Sequence, residues 1–224
     1  MHFASIFYII TSFFIESCRF RYAKHKGDGI MKKNIRWITE TAVLMALLIC
    51  LQWLGSNIPT PLVKQLITGT CVNCVLAIAA LYSGTGSSMT IALISPILAF
   101  FVGISQPITV IPIMAGNACY VLLLRLISGN SGKPFWRQPV ALAVAAGAKF
   151  AVLYILVVKT ICGFASGLFM GKMLGDQMLL GPKMLQPDKL PLMFSWPQLV
   201  TAICGGIIAL CILPVLRKAL RKDS

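Results

Sequence analysis

Three polar side chains lie deep inside long apolar stretches, and they are the first candidates for chemistry: Lys149, Asn73 and Asn117. Lys149 stands at the centre of residues 138–160, a stretch long enough to cross a bilayer as a helix. A cationic side chain at mid-bilayer costs about 2.5–3.5 kcal/mol on insertion scales. Either Lys149 is neutral, or it lies in a wet polar cavity, or its counter-ion comes from outside the protein.

The third possibility arises because none of the six acidic residues lies well inside an apolar stretch. Asparagine side chains can hydrogen-bond a ligand but cannot neutralise a charge. A ligand carboxylate could do both, so Lys149 favours an anionic small molecule over a cation.

Composition places these residues in a membrane. The chain is 58% hydrophobic and only 12% charged, which is typical of an integral membrane protein in contact with a lipid bilayer. The formal net charge of +14 does not indicate a nucleic-acid partner, because the Lys and Arg residues stand mainly at the ends of apolar runs. We therefore expect no nucleic-acid binding.

The apolar runs predict an all-α integral membrane protein with six transmembrane helices. The predicted spans are residues 38–55, 64–82, 89–104, 108–127, 138–160 and 197–216. From Met31 onward, ten Lys and Arg residues fall on the side of the termini and five on the other, so we expect cytoplasmic N- and C-termini. The long segment 161–194 leaves open whether its middle forms a short helix.

Residues 1–30 differ from the rest, since their short apolar run precedes its basic residues. We expect them to be a non-native leader ahead of a natural start at Met31, or alternatively an interfacial helix, with residues 31–222 as the membrane domain. Both histidines, His2 and His25, lie in this segment. Without histidine or buried acids the membrane domain is not expected to be an enzyme, and we predict no catalytic residue, metal or cofactor.

The three polar residues are predicted to lie at a similar depth in the membrane. Asn73 lies nine residues from Lys64, Asn117 eleven from Gln106, and Lys149 ten from Lys159. At the rise of an α-helix, each is about 14–17 Å from the outer surface. A common depth predicts a shared cavity open to the outside. The alternative is that these side chains only form hydrogen bonds between helices.

Ala42 and Ala46 are four residues apart, so they share one face of the first span. Small residues at this spacing let another helix pack closely in lipid. The pair indicates either a docking surface for a partner or packing inside the bundle.

Together, six spans with termini inside, a basic start, the Ala42–Ala46 pair and a long fifth loop resemble the substrate-binding S component of an energy-coupling factor (ECF) transporter. The resemblance covers residues 31–222. It implies that the alanine face docks on a transmembrane T component and that two ATPase subunits supply energy for uptake. It also implies a multi-pass protein of the bacterial cell membrane whose outer loops close over a vitamin-like molecule.

On this interpretation the substrate-binding residues come from the buried polar set and from the outer loops. They are Lys149, Asn117, Asn73, Asn57, Gln106, Trp196 and Gln198. Two other classes remain as alternatives. A secondary transporter would normally couple to ions through intramembrane acids or histidine, and a membrane assembly protein would bind no ligand.

Overall fold

The computed structural model describes residues 29–101, 105, 107–129, 136–164, 173–174, 177–178 and 190–221. Its helices are α1 (Gly29–Ser56), α2 (Pro61–Ile78), α3 (Thr85–Phe101), α4 (Pro107–Ser128), α5 (Arg137–Leu153), the short α6 (Leu190–Met193) and α7 (Trp196–Arg221). Two helices continue in π-helical geometry, α2 through Ala79–Ser83 and α5 through Tyr154–Phe164.

Six apolar helices form the body of the protein, in agreement with the sequence. Five stretches are long and apolar enough to cross a membrane: Trp37–Ser56, Leu62–Ser83, Pro107–Ser128, Arg137–Ile161 and Pro191–Lys218. Helix α3 is also apolar but shorter, with 17 residues. The predicted all-α membrane fold is therefore confirmed, whereas cytoplasmic termini stay a prediction.

Two sequence predictions fall on or beside residues that the structure does not describe. Residues 1–28 lie outside the described ranges, so the proposed leader and the domain boundary at Met31 stay predictions. In the fifth loop, the described middle residues form a two-residue antiparallel ladder between β1 (Met173–Leu174) and β2 (Gln177–Met178). The short helix α6 lies at the end of that loop, and whether its middle forms a helix stays open because most of those residues lie outside the described ranges.

The six long helices close into a ring. Going round it, α1 packs on α2, α2 on α7, α7 on α5, α5 on α4, α4 on α3, and α3 on α1. The closest pairs are α2 with α7 and α4 with α5. The last helix thus inserts between the second and the fifth, so the interior of the ring is lined by helices distant in sequence.

Glycines explain why α2 and α7 approach so closely. A Cβ on Gly69 would stand 3.0 Å from the Thr201 side chain, and a Cβ on Gly205 would stand 2.8 Å from Asn73 Cβ. Thr201 therefore faces Gly69, and Asn73 faces Gly205 one turn further along. This register makes α2 and α7 parallel, and small residues opposite larger ones let the two backbones meet.

Arginines tie the helices together at the end where α2, α4 and α7 finish. Arg125 Nη1 donates to the Ala80 carbonyl and Arg217 Nη2 to the Leu81 carbonyl, each at 3.4 Å. Both carbonyls belong to the π-helical end of α2, where backbone acceptors lack helical partners. Gly84, at φ 95°, then turns the chain into α3, a conformation that favours glycine.

Candidate functional site

Lys149 lies inside the helix ring and contacts two asparagines. Its side chain is 3% exposed. Nζ donates to Asn73 Oδ1 at 2.5 Å and to Asn117 Oδ1 at 2.7 Å. The three residues that sequence depth placed together therefore meet, and a single amine joins helices α2, α4 and α5.

Each of the three lies near the middle of its helix. Asn73 is twelve residues beyond Pro61, and Asn117 is ten beyond Pro107. These separations correspond to about 15–18 Å along the helix axes. The polar cluster is therefore at the depth where a bilayer is most apolar, and its hydrogen bonds must be satisfied within the protein.

A second layer of contacts holds Asn73. Its Nδ2 donates to Thr201 Oγ1 at 3.3 Å, and the Thr201 hydroxyl donates to the Gln198 carbonyl at 3.1 Å. Gln198 Nε2 in turn donates to the Met193 carbonyl at 3.4 Å. Hydrogen bonds of α7 therefore link the polar cluster to the corner between α6 and α7.

Tyr120 forms one wall of the cluster. Lys149 Nζ lies 5.5 Å from the centroid of its ring, within the range of a cation–π interaction. The Tyr120 hydroxyl donates to the Ala202 carbonyl at 3.4 Å. The ring is fully buried, so it presents a fixed aromatic face to the amine.

The cluster is closed in this conformation, which differs from the predicted cavity open to the outside. Asn73 and Asn117 are each 1% exposed. Beyond Lys149, the apolar residues Leu153, Val157 and Ile161 pack with Phe194 and Ile108. This apolar cluster covers the amine toward the end of the bundle where α4 and α7 begin.

The other predicted binding residues are distributed differently. Gln198 is buried and belongs to the hydrogen-bonded chain just described. Asn57 is exposed on the first loop, where its amide donates to the Trp53 carbonyl, and Trp196 is 48% exposed at the start of α7. Gln106 lies outside the described residues. Contact of these three with a ligand stays a prediction.

Sequence reasoning missed Thr201 and Tyr120, although a spacing signal was present. Thr201 follows Gln198 by three residues, and Tyr120 follows Asn117 by three, so each shares a helix face with a residue that was selected. Extending each candidate by one helical turn would have found both.

The alanine pair lies on the outside of the bundle. Ala42 and Ala46 are exposed, whereas Leu44 and Leu48 of the same helix are buried. Among the described residues, the pair therefore does not pack inside the bundle. The pair leaves a shallow, small-residue face on α1, and its docking function stays a prediction.

The cluster has the groups to bind a ligand through hydrogen bonds and charge. An ammonium at Lys149 has three N–H groups, and two of them go to neutral amide oxygens. Neutral oxygens solvate the positive charge without cancelling it. The arrangement can therefore accept one further hydrogen-bond acceptor, and an anionic one would also compensate the charge.

Comparison with known proteins agrees with this architecture. Residues 36–217 match the family model described as "ECF transporter, substrate-specific component". Neither a curated protein nor a solved structure gives a significant match. Because the family match covers most of the chain, this multi-pass membrane protein belongs to the substrate-specific components of ECF transporters, which bind substrates for transport rather than act as enzymes.

Proposed function

We propose that this S component captures a vitamin-sized organic anion from outside a bacterial plasma membrane and holds it at Lys149. Membership of the family implies a small-molecule substrate and partnership with T and ATPase subunits. The proposal adds the chemical class of the substrate, the site and the direction of uptake.

The observation that carries the proposal is the pairing of Lys149 with two neutral oxygens inside the ring. Burying an ammonium in a membrane protein is costly and marks a functional residue by default. Asn73 and Asn117 offset part of that cost through hydrogen bonds but leave the charge unbalanced. A substrate carboxylate would supply the missing negative charge.

The alanine face supports the dependence on partner subunits. Ala42, Ala46 and Cys50 follow one another at four-residue spacing on α1, and all three small side chains are exposed. A helix of the T component could approach this backbone closely. ATP-driven uptake would then depend on two ATPase subunits attached to that T component.

Purification of the full chain from its native membrane tests the proposal. We expect a bound small molecule with at least one acidic group, identified by mass spectrometry, and co-purification of a T component with ATPases. A bound cation without an acidic group would contradict the substrate class. A chain that carries no small molecule and no ATPase would contradict the function as a whole.

A further inference from the structure

We propose that Thr201 is a positioning residue: its hydroxyl fixes the orientation of the Asn73 amide, so that Asn73 Oδ1 faces Lys149. The role of Thr201 stands on geometry alone. Its consequence for the substrate rests on the proposed function.

The Asn73 amide needs such a residue because its two ends have nearly the same shape. A rotation by a half turn would exchange Oδ1 and Nδ2 without changing the packing. Nδ2 would then face Nζ of the Lys149 ammonium, which has no lone pair, and two donor groups would oppose each other without an acceptor. Inside a membrane bundle, where water cannot compensate, this orientation must be excluded by a partner of Asn73.

The hydrogen-bond chain on α7 excludes the flipped orientation of the Asn73 amide, because its donors and acceptors can be arranged in only one direction. The backbone carbonyl of Gln198 can only accept, so the Thr201 hydroxyl donates its one hydrogen there, at 3.1 Å. Thr201 Oγ1 can then only accept from Asn73, and it meets Nδ2 at 3.3 Å. The remaining end of the amide, Oδ1, faces Lys149 at 2.5 Å.

Packing keeps Thr201 in place for this task. Its side chain is fully buried and stands against Gly69, where any Cβ would meet it at 3.0–3.2 Å. One helical turn further along, Asn73 packs equally closely against Gly205, where an added Cβ would lie 2.8 Å from Asn73 Cβ. The two partners are therefore held on facing surfaces of α2 and α7.

The fixed orientation of the Asn73 amide bears on the kind of ligand group that the cluster can bind. Both amide oxygens of the cluster accept from Lys149, which leaves each oxygen one further lone pair. A Lys149 ammonium also keeps a third N–H group beyond these two hydrogen bonds. An ammonium donates with its charge, so the cluster favours an anionic acceptor such as a carboxylate over an amine, which would bring a second positive charge.

Nuclear magnetic resonance on the ligand-free full chain tests the role of Thr201. The protein is labelled with ¹⁵N in asparagine and lysine side chains and held in lipid nanodiscs, and an Asn73→Ser variant assigns the Asn73 amide. In the wild type we expect nuclear Overhauser effects between the Asn73 amide protons and the Thr201 side chain. Thr201→Val keeps the shape but removes the hydroxyl, so the Asn73 amide protons should shift upfield and the Lys149 Nζ signal should move.

Two controls separate the hydroxyl from packing. Thr201→Ser keeps the hydroxyl and removes the methyl group, and it should retain the wild-type Asn73 signals. The side-chain amide of Asn57, on the exposed first loop, should not change in either variant. Unchanged Asn73 signals in Thr201→Val, or loss of them in Thr201→Ser, would overturn the proposal.

If Thr201→Val fails to fold, the Overhauser effects measured on the wild-type protein still test the proposal. Overhauser effects from the Asn73 amide protons to the Lys149 side chain instead of Thr201 would overturn the assigned orientation. The measurement needs neither substrate nor partner subunits. Its failure is therefore distinguishable from failure of the proposed function, which would appear as absence of a bound anion in the purified protein.

Discussion

Substitution of Lys149 by methionine is the sharpest test of the site. It removes the amine and leaves Asn73 Oδ1 and Asn117 Oδ1 without their described donor. Two buried unsatisfied oxygens cost about 2–6 kcal/mol together, at about 1–3 kcal/mol each. Loss of the buried ammonium returns about 2.5–3.5 kcal/mol. The net change lies between about 1.5 kcal/mol of stabilisation and about 3.5 kcal/mol of destabilisation, so we expect Lys149→Met to fold.

Binding should respond much more than folding. If Lys149 pairs with a desolvated anion, its removal weakens the affinity by about 2 kcal/mol or more, or about 30-fold. The assays are the amount of substrate that co-purifies and a calorimetric titration with that molecule once mass spectrometry has identified it. Lys159→Met is the matched control, because Lys159 lies on the π-helical continuation of α5 but is exposed. It should change neither quantity.

An unchanged affinity in a well-folded Lys149→Met protein would refute this reasoning. Lys149 would then be a structural donor between helices, and its two hydrogen bonds would be the whole of its role. Equal loss of substrate in Lys159→Met would also count against the site, because the effect would then follow surface charge rather than the buried cluster.

Two further predictions concern helix surfaces. Leucine at both Ala42 and Ala46 should abolish assembly with the T and ATPase subunits through steric bulk, while the isolated subunit still folds and binds substrate. The control Ala143→Leu, on an exposed face of α5, should leave co-purification of the partner subunits intact. Misfolding of the isolated double variant would contradict the docking role. Gly205→Ala would place a Cβ 2.5 Å from the Thr70 carbonyl oxygen and should lower stability by about 1–3 kcal/mol, measured by thermal unfolding in detergent. Gly147→Ala, with no atom within 4 Å of its Cβ, should be neutral or stabilising, and equal effects of the two changes would argue against the close α2–α7 contact.

The membrane-spanning helices were predictable because the hydropathy of the sequence alone identifies them. Each apolar run is long, and bilayer thickness fixes the length that it must have. Their arrangement was not predictable, because the neighbours of a helix depend on which face it turns inward. The contact between α2 and α7 rests on Gly69 and Gly205, and glycines are frequent in membrane helices without such a role.

The central polar cluster was predictable for a related reason. Asn73, Asn117 and Lys149 are rare types at that depth, and counting residues from the helix ends measures depth directly. Thr201 escaped because threonine is tolerated in apolar helices and draws no attention by its type. Its function follows from its partners, the Gln198 carbonyl and the Asn73 amide, and only three-dimensional proximity reveals them. Closure of the site likewise depends on side chains such as Phe194 that sequence treats as ordinary apolar residues.

The order of the ring also has a consequence for biosynthesis. Asn73 and Thr201 are 128 residues apart, and α7 is the last of the long helices among the described residues. At about 5–20 residues per second, α2 waits about 6–26 s before its closest neighbour leaves the ribosome. During that interval Asn73 lacks the Thr201 hydroxyl, and the face of α2 that carries Gly69 lacks its α7 neighbour. The bundle therefore cannot mature helix by helix from the N-terminus, and its polar cluster forms only after α7 has been made.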